Sequence, residues 1–503
     1  GVRLADLAAP SGGFDLGTLL PAGIAKIELL RGANSVAWGS DALAGVLAVT
    51  TAAPDGLTAA VEYGAHDSVS GTASGGVAGE GYQIGVDGGY TRSDGISAYA
   101  PGTEADPFRQ WHLGARGKAE LAPDLALVAT GRYADSKVHF DGYPAPLYAF
   151  ADTPEYQITR QLSGRAGLDY SGDAVALAGG LAYARTERDY FDPTFGSDPN
   201  YTTRGRSLRA DFTGRAELAG ALRLTFGADS EWTRFSSLFD PERSARLSSA
   251  HALLGYQAGA LSLTAGARID DHDRFGTHWT FGGNGSLDLG ANWRLRASYG
   301  EGFKAPTLYQ LYGFGGNDDL QPEQSRSYDL GVEHGNRNAA LHFAATLFRR
   351  DSRQLISYLW PDGYFNTARA RAQGFELEAA AAVTAAFRVR AAYTYVEATN
   401  RATGSQLARR PRHAVSTSAD WTTPLAGLTL GADLRLVSDS FDDPGNFVPI
   451  DGHALVTLRA SVPLGEHLEL YGRVENLTDA AYETVAGYGT YGRSAYGGVR
   501  LKW

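Results

Sequence analysis

Few motifs in this sequence could carry covalent chemistry. Gly487, Gly489 and Gly492 spell G-x-G-x-x-G, which binds dinucleotides only where it joins a strand to a helix in a βαβ unit. Here it precedes the last alternating segment of the chain, so a flexible loop explains it better. The sequence has no G-x-S-x-G, H-E-x-x-H or phosphate-binding loop motif, and its 11 histidines lack metal-ligand spacing. We therefore expect that the protein is not an enzyme.

Charge and composition narrow the classes of function further. The 503 residues carry a formal net charge of -11, whereas a nucleic-acid binder needs a basic face for the phosphate backbone. The densest basic run, Arg409–His413, is typical of a charged loop, so we expect no nucleic-acid partner. The absence of cysteine excludes disulfides and thiolate metal sites. The sequence contains no apolar run of about 18 residues, the length that a transmembrane helix requires.

The elements that position any site are β-strands. From about residue 57 the sequence alternates apolar and polar residues, which is the period of a strand. Leu222, Leu224 and Phe226 fall on one face of such a segment, and Arg223 and Thr225 fall on the other. The alternation continues to the C-terminus, so the chain is predicted to be all-β over most of its length.

The character of the polar face distinguishes two all-β architectures. A soluble sandwich buries its apolar face, whereas a membrane barrel turns that face to lipid and encloses a polar, often charged lumen. Full charges recur in mid-strand, as at Arg294 and Arg296, and aromatic residues recur at strand ends, as at Tyr82, Tyr90 and Trp232. Both features favour a membrane barrel with aromatic girdles.

The length of the chain sets the size of the barrel. About 447 residues follow residue 56, and a strand with its connection takes about 20, which predicts about 22 antiparallel transmembrane strands. Barrels of this size are plugged outer-membrane transporters. We therefore predict an all-β membrane protein with a transmembrane β-barrel at residues 57–503. Short connections are expected on the periplasmic side and long ones outside.

Three segments resemble TonB-dependent outer-membrane receptors. Ile24–Thr51, which reads IAKIELLRGANSVAWGSDALAGVLAVTT, resembles the end of the family's plug domain. Tyr299–Gly313 with Asp319–Glu333 resembles the mid-barrel signature, and Val474–Trp503 resembles the C-terminal one. The segments stand in the family's order, and the resemblance spans essentially the whole chain. It implies the bacterial outer membrane and active uptake of a scarce, bulky ligand.

Within this family, the sequence is most similar to the vitamin B12 (cobalamin) receptors. The segments that carry this similarity are Gly266–Thr280, Phe303–Asn317 and Tyr482–Arg493. They imply cobalamin or another corrinoid as the ligand. The alternatives are a ferric-siderophore receptor and a passive or structural barrel with a remnant plug.

The same resemblance implies that residues 1–56 are the C-terminal part of an α/β plug domain in the lumen of the barrel, so residue 1 corresponds to the middle of a plug. In the family, a first half of the plug and a TonB box precede this point. We expect that both are omitted from this sequence, and the alternative is a gene product that lacks them and cannot couple to TonB.

The resemblance also implies where a ligand would bind, at the plug apex and on external loops. The candidate ligand-binding residues are Pro10, Ser11, Gly12, Gly13, Phe14, Tyr312, Phe314, Tyr488 and Tyr491. Small residues at the apex permit a bulky ligand to approach the backbone closely, although Pro-Ser-Gly-Gly also suits a plain turn. Glu28 and Arg31 match the positions that pair with the charged barrel wall in the family and lock the plug, and a solvated surface pair is the alternative.

Cobalamin receptors often bind calcium through aspartates of early external loops. The corresponding residues here are Asp141, Asp189, Asp192 and Asp198. Calcium takes six to eight oxygen ligands, so several loops would have to converge, and exposed aspartates without a metal are the alternative. No other cofactor is expected. The implied partners are the TonB complex of the inner membrane, lipid and lipopolysaccharide, and a surface lipoprotein, around a monomeric barrel.

Overall fold

The computed structural model describes residues 1–51, 56–218 and 220–503, and its elements are almost all strands. The helical elements of these residues are a 3-10 helix (Leu16–Thr18), α1 (Ser35–Trp38) and α2 (Leu308–Tyr312). None of them has the length and apolar character needed to cross a bilayer. The strands of the first half are β1 (Ile24–Arg31), β2 (Gly45–Thr51), β3 (Gly56–Gly64), β4 (Ser68–Gly79), β5 (Tyr82–Ser93), β6 (Phe108–Ala122), β7 (Leu125–His139), β8 (Tyr156–Ser171), β9 (Val175–Phe191), β10 (Tyr201–Glu217), β11 (Leu222–Ser237), β12 (Arg243–Ala258) and β13 (Leu261–His272). Those of the second half are β14 (Gly276–Gly290), β15 (Trp293–Lys304), β16 (Glu323–His334), β17 (Leu341–Leu359), β18 (Gly363–Thr384), β19 (Phe387–Asn400), β20 (His413–Thr422), β21 (Thr429–Val437), β22 (Ser440–Phe441), β23 (Pro449–Ile450), β24 (His453–Leu464), β25 (Leu468–Glu475) and β26 (Ser494–Lys502).

One closed barrel contains every strand from β3 to β21 together with β24, β25 and β26, which makes 22 strands. Each strand pairs antiparallel with its neighbour in sequence, and the ring closes between β26 and β3. At this seam, Leu57 and Trp503 exchange backbone hydrogen bonds of 2.9 and 2.8 Å. Closure removes the unpaired edges that hydrocarbon would leave without hydrogen-bond partners.

The two faces of the barrel differ in the way that the alternation predicts. Ile84 and Val86 of β5 are exposed on the outer face, whereas Asp87 between the outward positions binds Arg116. On β18, Leu377 faces outward, and its neighbour Glu376 binds a residue of the N-terminal segment. The apolar face is therefore the lipid face, and the charged face lines the lumen.

The two ends of the barrel differ in the length of their connections. At one end, β6 ends at Ala122 and β7 begins at Leu125. At the other end, residues 305–322 join β15 to β16, and residues 476–493 join β25 to β26. Long connections are typical of the external end of an outer-membrane barrel.

Residues 1–51 lie inside the ring. β1 and β2 form a separate antiparallel hairpin, and α1 between them lies against β12, β13, β14 and β15. On the far side of the lumen, Arg116 of β6 donates to the carbonyl oxygen of Gly23 at 2.9 Å. Because its contacts reach opposite walls, the segment spans the lumen from one wall to the other.

The prediction of a closed antiparallel barrel of about 22 strands is confirmed. The predicted border between the two domains falls at residue 56, where β3 begins. Residues 52–55 lie outside the described part of the chain, and the division into domains stays a prediction.

Candidate functional site

The predicted apex of the N-terminal segment is a tight turn. The Asp6 N–H donates to the Gly12 carbonyl oxygen at 3.0 Å, and the Gly12 N–H donates to the Ala9 carbonyl oxygen at 3.2 Å. Gly12 has a φ of +70°, a conformation that glycine adopts without a steric penalty. Pro10, Ser11 and Gly13 are exposed in this turn, so the apex presents no bulky side chain.

The turn lies against the external connection between β15 and β16. Lys304 Nζ donates to the Ser11 carbonyl oxygen at 3.0 Å, and Thr307 Oγ1 donates to the Pro10 carbonyl oxygen at 2.7 Å. Thr307 also caps α2, because its Oγ1 accepts from the Gln310 N–H. Pro10, Ser11 and Gly12 are thus brought to the same place as the loop that carries Tyr312.

Tyr312, the last residue of α2, lies between two cations. The guanidinium carbon of Arg243 is 5.0 Å from the centroid of its ring, and Arg274 donates a hydrogen bond to its hydroxyl group. A second nitrogen of Arg274 donates to the Asp318 carbonyl oxygen. Within the described residues, neither arginine forms an ion pair with a carboxylate. Beside the apex, the site therefore offers positive charge and an aromatic ring.

The other candidate aromatic residues form separate groups. Phe314 stacks on Trp360, with centroids 6.2 Å apart, at the tip of the β17–β18 hairpin. On the β25–β26 loop, Tyr488 stacks on Phe150 of the β7–β8 loop at 4.4 Å, and Tyr491 contacts His66 of the β3–β4 turn at 4.9 Å. Phe14 is half-buried below the apex. The structure thus joins the apex to Tyr312, whereas Phe314 of the same connection contacts Trp360, and Tyr488 and Tyr491 lie on the β25–β26 loop.

The external loops 94–107, 140–155 and 476–493 pack as one unit, which we call the loop cluster. Tyr99 pairs with Tyr488 in an isolated β-bridge, and Tyr99 also contacts Phe150 edge-on at 5.4 Å. Burial and the neighbouring Tyr143 raise the pKa of the Tyr488 hydroxyl to about 12. This hydroxyl group is therefore a neutral hydrogen-bonding group at any physiological pH.

A group of three carboxylates lies in the loop cluster. Carboxylate oxygens of Glu104, Asp141 and Asp152 lie within 4.8 Å of one another. Asp141 is buried, and its carboxylate accepts from the Tyr99 N–H at 2.6 Å and the Thr153 N–H at 2.8 Å. Desolvation, followed by a hydrogen bond with Asp152, raises the pKa of Glu104 to about 7. Three carboxylates could supply part of the oxygen shell of a divalent cation.

The other aspartates of the calcium prediction lie elsewhere. Asp189 is buried between Arg160 and Arg204, which neutralise it as ion pairs. Asp192 turns back on its own loop, where it accepts from the Thr194 N–H at 2.9 Å. Asp198 does not belong to the group of carboxylates found among the described residues. Only Asp141 of the four is brought together with other carboxylates there, and the partners Glu104 and Asp152 were not predicted.

Arg31 reaches the barrel wall, as the resemblance implies for its position. Its guanidinium group binds Glu376 and, with Nη2 2.8 Å from Oε1, Glu378, both on β18. Glu28 instead pairs with Lys26 of the same strand at 2.6 Å, and both side chains are exposed. The structure thus places one of the two predicted lock residues against the wall and the other in a local surface pair.

Sequence reasoning missed a second set of charges between the N-terminal segment and the wall. Arg3 binds Glu231 at 2.9 Å, and Asp6 binds Arg188. Next to Glu231, Arg268 binds Asp270 at 2.9 Å in the buried lumen wall. Inward charges at mid-strand were a usable signal for such pairs, but their partners lie over 180 residues away in sequence.

Two cavities remain in the lumen beside the N-terminal segment. One, of about 690 Å³, runs along the inner face of β18–β25 and is lined by charged residues that include Glu378, Arg390 and Asp433. The other, of about 720 Å³, lies between residues 21–25 and the strands at the closing seam. The described lumen therefore holds open space on two sides of the segment.

Comparisons with known proteins agree with this geometry. The family model "TonB dependent receptor-like, beta-barrel" matches residues 65–477. The fold is similar to the ferric enterobactin receptor PfeA of Pseudomonas aeruginosa, with a TM-score of 0.79, 20% identity, and coverage of 96% of this chain and 85% of that one. It is also similar to the copper transporter OprC, with a TM-score of 0.85, 16% identity, and coverage of 100% and 89%.

A third similar structure is the siderophore receptor PirA of Acinetobacter baumannii. Its TM-score is 0.82 at 16% identity, with coverage of 100% of this chain and 89% of that one. At these identities the similarity concerns the fold.

Proposed function

The chain belongs to the TonB-dependent receptor family of the bacterial outer membrane, and from this we propose that it takes up an anionic metal chelate, a ferric siderophore, across that membrane. Members of this family are receptors and transporters rather than enzymes. Ligand capture on the external side, rearrangement of the N-terminal segment and coupling to TonB are the steps that this proposal assigns to the chain.

The observation that carries the choice of ligand is the position of Tyr312. Arg243 and Arg274 contact it, and α2 joins it to Thr307, which holds the apex residue Pro10. Ferric catecholate chelates carry several negative charges and flat aromatic rings. Guanidinium groups bind such oxygen anions strongly, and an aromatic ring can stack on the chelate.

The competing ligand is cobalamin, which the similarity of Gly266–Thr280, Phe303–Asn317 and Tyr482–Arg493 to cobalamin receptors favours. The solved structures described here bind or transport siderophores or copper, so they lend it no support. Arg243 and Arg274, which lack carboxylate partners among the described residues, also favour an anionic ferric chelate over a corrinoid.

Binding measurements in detergent distinguish the siderophore proposal from the cobalamin alternative. The purified protein is titrated with a ferric tris-catecholate chelate and with cyanocobalamin, for wild type, R274Q and the control R234Q. Arg234 keeps its own partner, Glu242, at 3.0 Å. We expect the ferric chelate to bind, about tenfold more weakly to R274Q, and equally to R234Q. Binding of cyanocobalamin alone, unaffected by R274Q, would reject the siderophore proposal.

For the N-terminal segment, we propose that residues 1–56 act as a plug locked by Arg31 on Glu376 and Glu378. A barrel that conducts passively is the alternative, and the polar cavity along β18–β25 favours it. Planar bilayer recordings distinguish a plugged receptor from a passive barrel. A plugged receptor gives almost no steady current, whereas large stable channels would favour the passive barrel.

A further inference from the structure

The outer face of β16, β17 and β18 carries a cluster of arginines directly above the lipid-facing residues, which we call the rim patch. It consists of Arg326, Arg349, Arg353, Arg369 and Arg371, with the carboxylates Glu301 and Asp351. Five cations against two anions leave three positive charges in a chain whose net charge is -11.

Strand alternation shows that the rim patch faces out of the barrel. On β16, Arg326 shares a face with Tyr328 and Leu330, which are 46% and 50% exposed. On β17, Arg349 follows Leu347, which is 60% exposed, by two residues. These apolar residues contact lipid chains, so the arginines lie one to three rungs beyond the hydrocarbon.

The rim patch lies toward the external end of the barrel. β17 and β18 continue beyond it to a hairpin tip, where Trp360 stacks on Phe314 of the long β15–β16 connection. At this height, the outer leaflet presents its headgroups. The patch therefore faces the headgroup layer of the external leaflet.

Within the rim patch, Arg353 and Arg369 occupy directly opposed positions on β17 and β18. Both are exposed, and neither forms an ion pair with any described residue. Asp351 is held by Arg349 and Arg371, and Glu301 by Arg326. Like charges directly across a strand pair are destabilising, so an anion bound from outside the chain would stabilise this pair.

Another pair of arginines on the same face shows how the chain itself supplies such an anion. Arg206 of β10 and Arg234 of β11 are also opposed, one rung beyond the outward pair Leu208 and Trp232. There Glu242 binds Arg206 at 2.9 Å and Arg234 at 3.0 Å. The Arg353–Arg369 pair is opposed in the same way, three rungs beyond Leu347, and no described carboxylate binds it.

We propose that the rim patch binds the phosphate groups of a phosphorylated lipid of the external leaflet, with Arg353 and Arg369 as its principal ligands. Arginine forks match phosphate oxygens with paired, charge-assisted hydrogen bonds. The acyl chains of the same lipid would cover Leu347 and Leu330 below. The proposal requires only the membrane position of the barrel, and it holds whichever ligand the lumen carries.

Native mass spectrometry of the protein in detergent, with diphosphorylated lipid A as the probe, tests this assignment. Wild type should retain the lipid, and R353Q/R369Q should bind it at least about tenfold more weakly. The matched control R206Q/R234Q should bind like wild type. Dephosphorylated lipid A should bind poorly, and millimolar inorganic phosphate should not displace the lipid, since it lacks the acyl chains.

A second variant keeps both arginines and supplies the missing carboxylate. Gln324 is exposed on the outer face and is paired with Arg353, so Q324E imitates Glu242. It should weaken lipid binding while the heat-modifiable electrophoretic mobility of a folded barrel is kept. Equal lipid binding by wild type, R353Q/R369Q and Q324E would overturn the proposal. Inorganic phosphate that competes as well as the lipid would overturn the lipid assignment.

Discussion

Arg31 on β1 and Glu378 on β18 are joined by an ion pair of 2.8 Å, although 347 positions separate them in the sequence. Glu378 also binds Arg337 of the β16–β17 connection at 2.9 Å, so this one carboxylate of β18 binds both the N-terminal segment and a turn of the barrel. The Arg31 side chain is about half exposed, whereas Glu376 and Glu378 are largely covered. Removing Arg31 therefore leaves Glu376 without its ion pair and Glu378 with Arg337 alone.

We expect R31A to loosen the N-terminal segment by about 1–2 kcal/mol, less than a fully buried pair because half of Arg31 is solvated. The chain has no cysteine, so V36C introduces a single thiol on α1, where Val36 is buried. The urea midpoint for maleimide labelling of V36C should fall in R31A. K26A, which removes the exposed pair with Glu28, is the control. Equal midpoints in R31A and K26A would exclude the lock.

Asp6 should anchor the segment more strongly than Arg31. Its side chain is 1% exposed and that of its partner Arg188 is 15% exposed. D6N leaves a covered guanidinium group without its anion, which should cost about 3 kcal/mol. Maleimide labelling of V36C in urea measures this loss of stability. D41N is the control, because Asp41 is exposed and its partner Arg3 keeps the ion pair with Glu231. A D6N midpoint no lower than that of D41N would contradict this ranking.

The loop cluster should lose stability as the pH rises. The pKa of Glu104 is raised from 4.5 to about 7, so the folded loops favour its protonated form. The stability that this proton confers is complete below about pH 4.5 and is lost as the pH rises through about 7. Hydrogen-exchange protection factors of residues 94–107 and 140–155, measured in EDTA, should fall over this range. E104Q should abolish this fall in protection, whereas the control D198N should retain it. If the fall persists in E104Q, groups other than Glu104 cause it.

Calcium provides a separate test of the same loops. If the cation binds Glu104, Asp141 and Asp152, calcium added at pH 8 should raise the protection of the loop cluster. D141N should abolish that rise, whereas D189N and D192N should not, because those aspartates lie elsewhere. Protection that calcium does not change in wild type would dismiss the predicted calcium site.

The barrel was predictable because its rules are local. Alternation assigns Ile84 and Asp87 to opposite faces without knowledge of any partner strand, and chain length divided by strand length gives the strand number. Neighbouring strands in the sequence are neighbours in the ring, so the topology followed as well.

The contacts across the lumen were not predictable in this way. Arg31 and Glu28 look alike as charged residues of one strand, and only the register of β18 shows that Arg31 meets Glu376. Asp189 and Asp141 both precede aromatic-rich loops, but Arg204 lies across the ladder from one and Asp152 lies beside the other. Such differences depend on strand register and loop packing over long separations in sequence.

The hydrogen bonds between Leu57 and Trp503 have a consequence for biogenesis. β26 closes the ring against β3, so the ring cannot close in a molecule that lacks this strand. Deletion of Ser494–Lys502 would leave the edges of β25 and β3 without backbone partners. Such a molecule should be degraded in the periplasm instead of being inserted into the membrane.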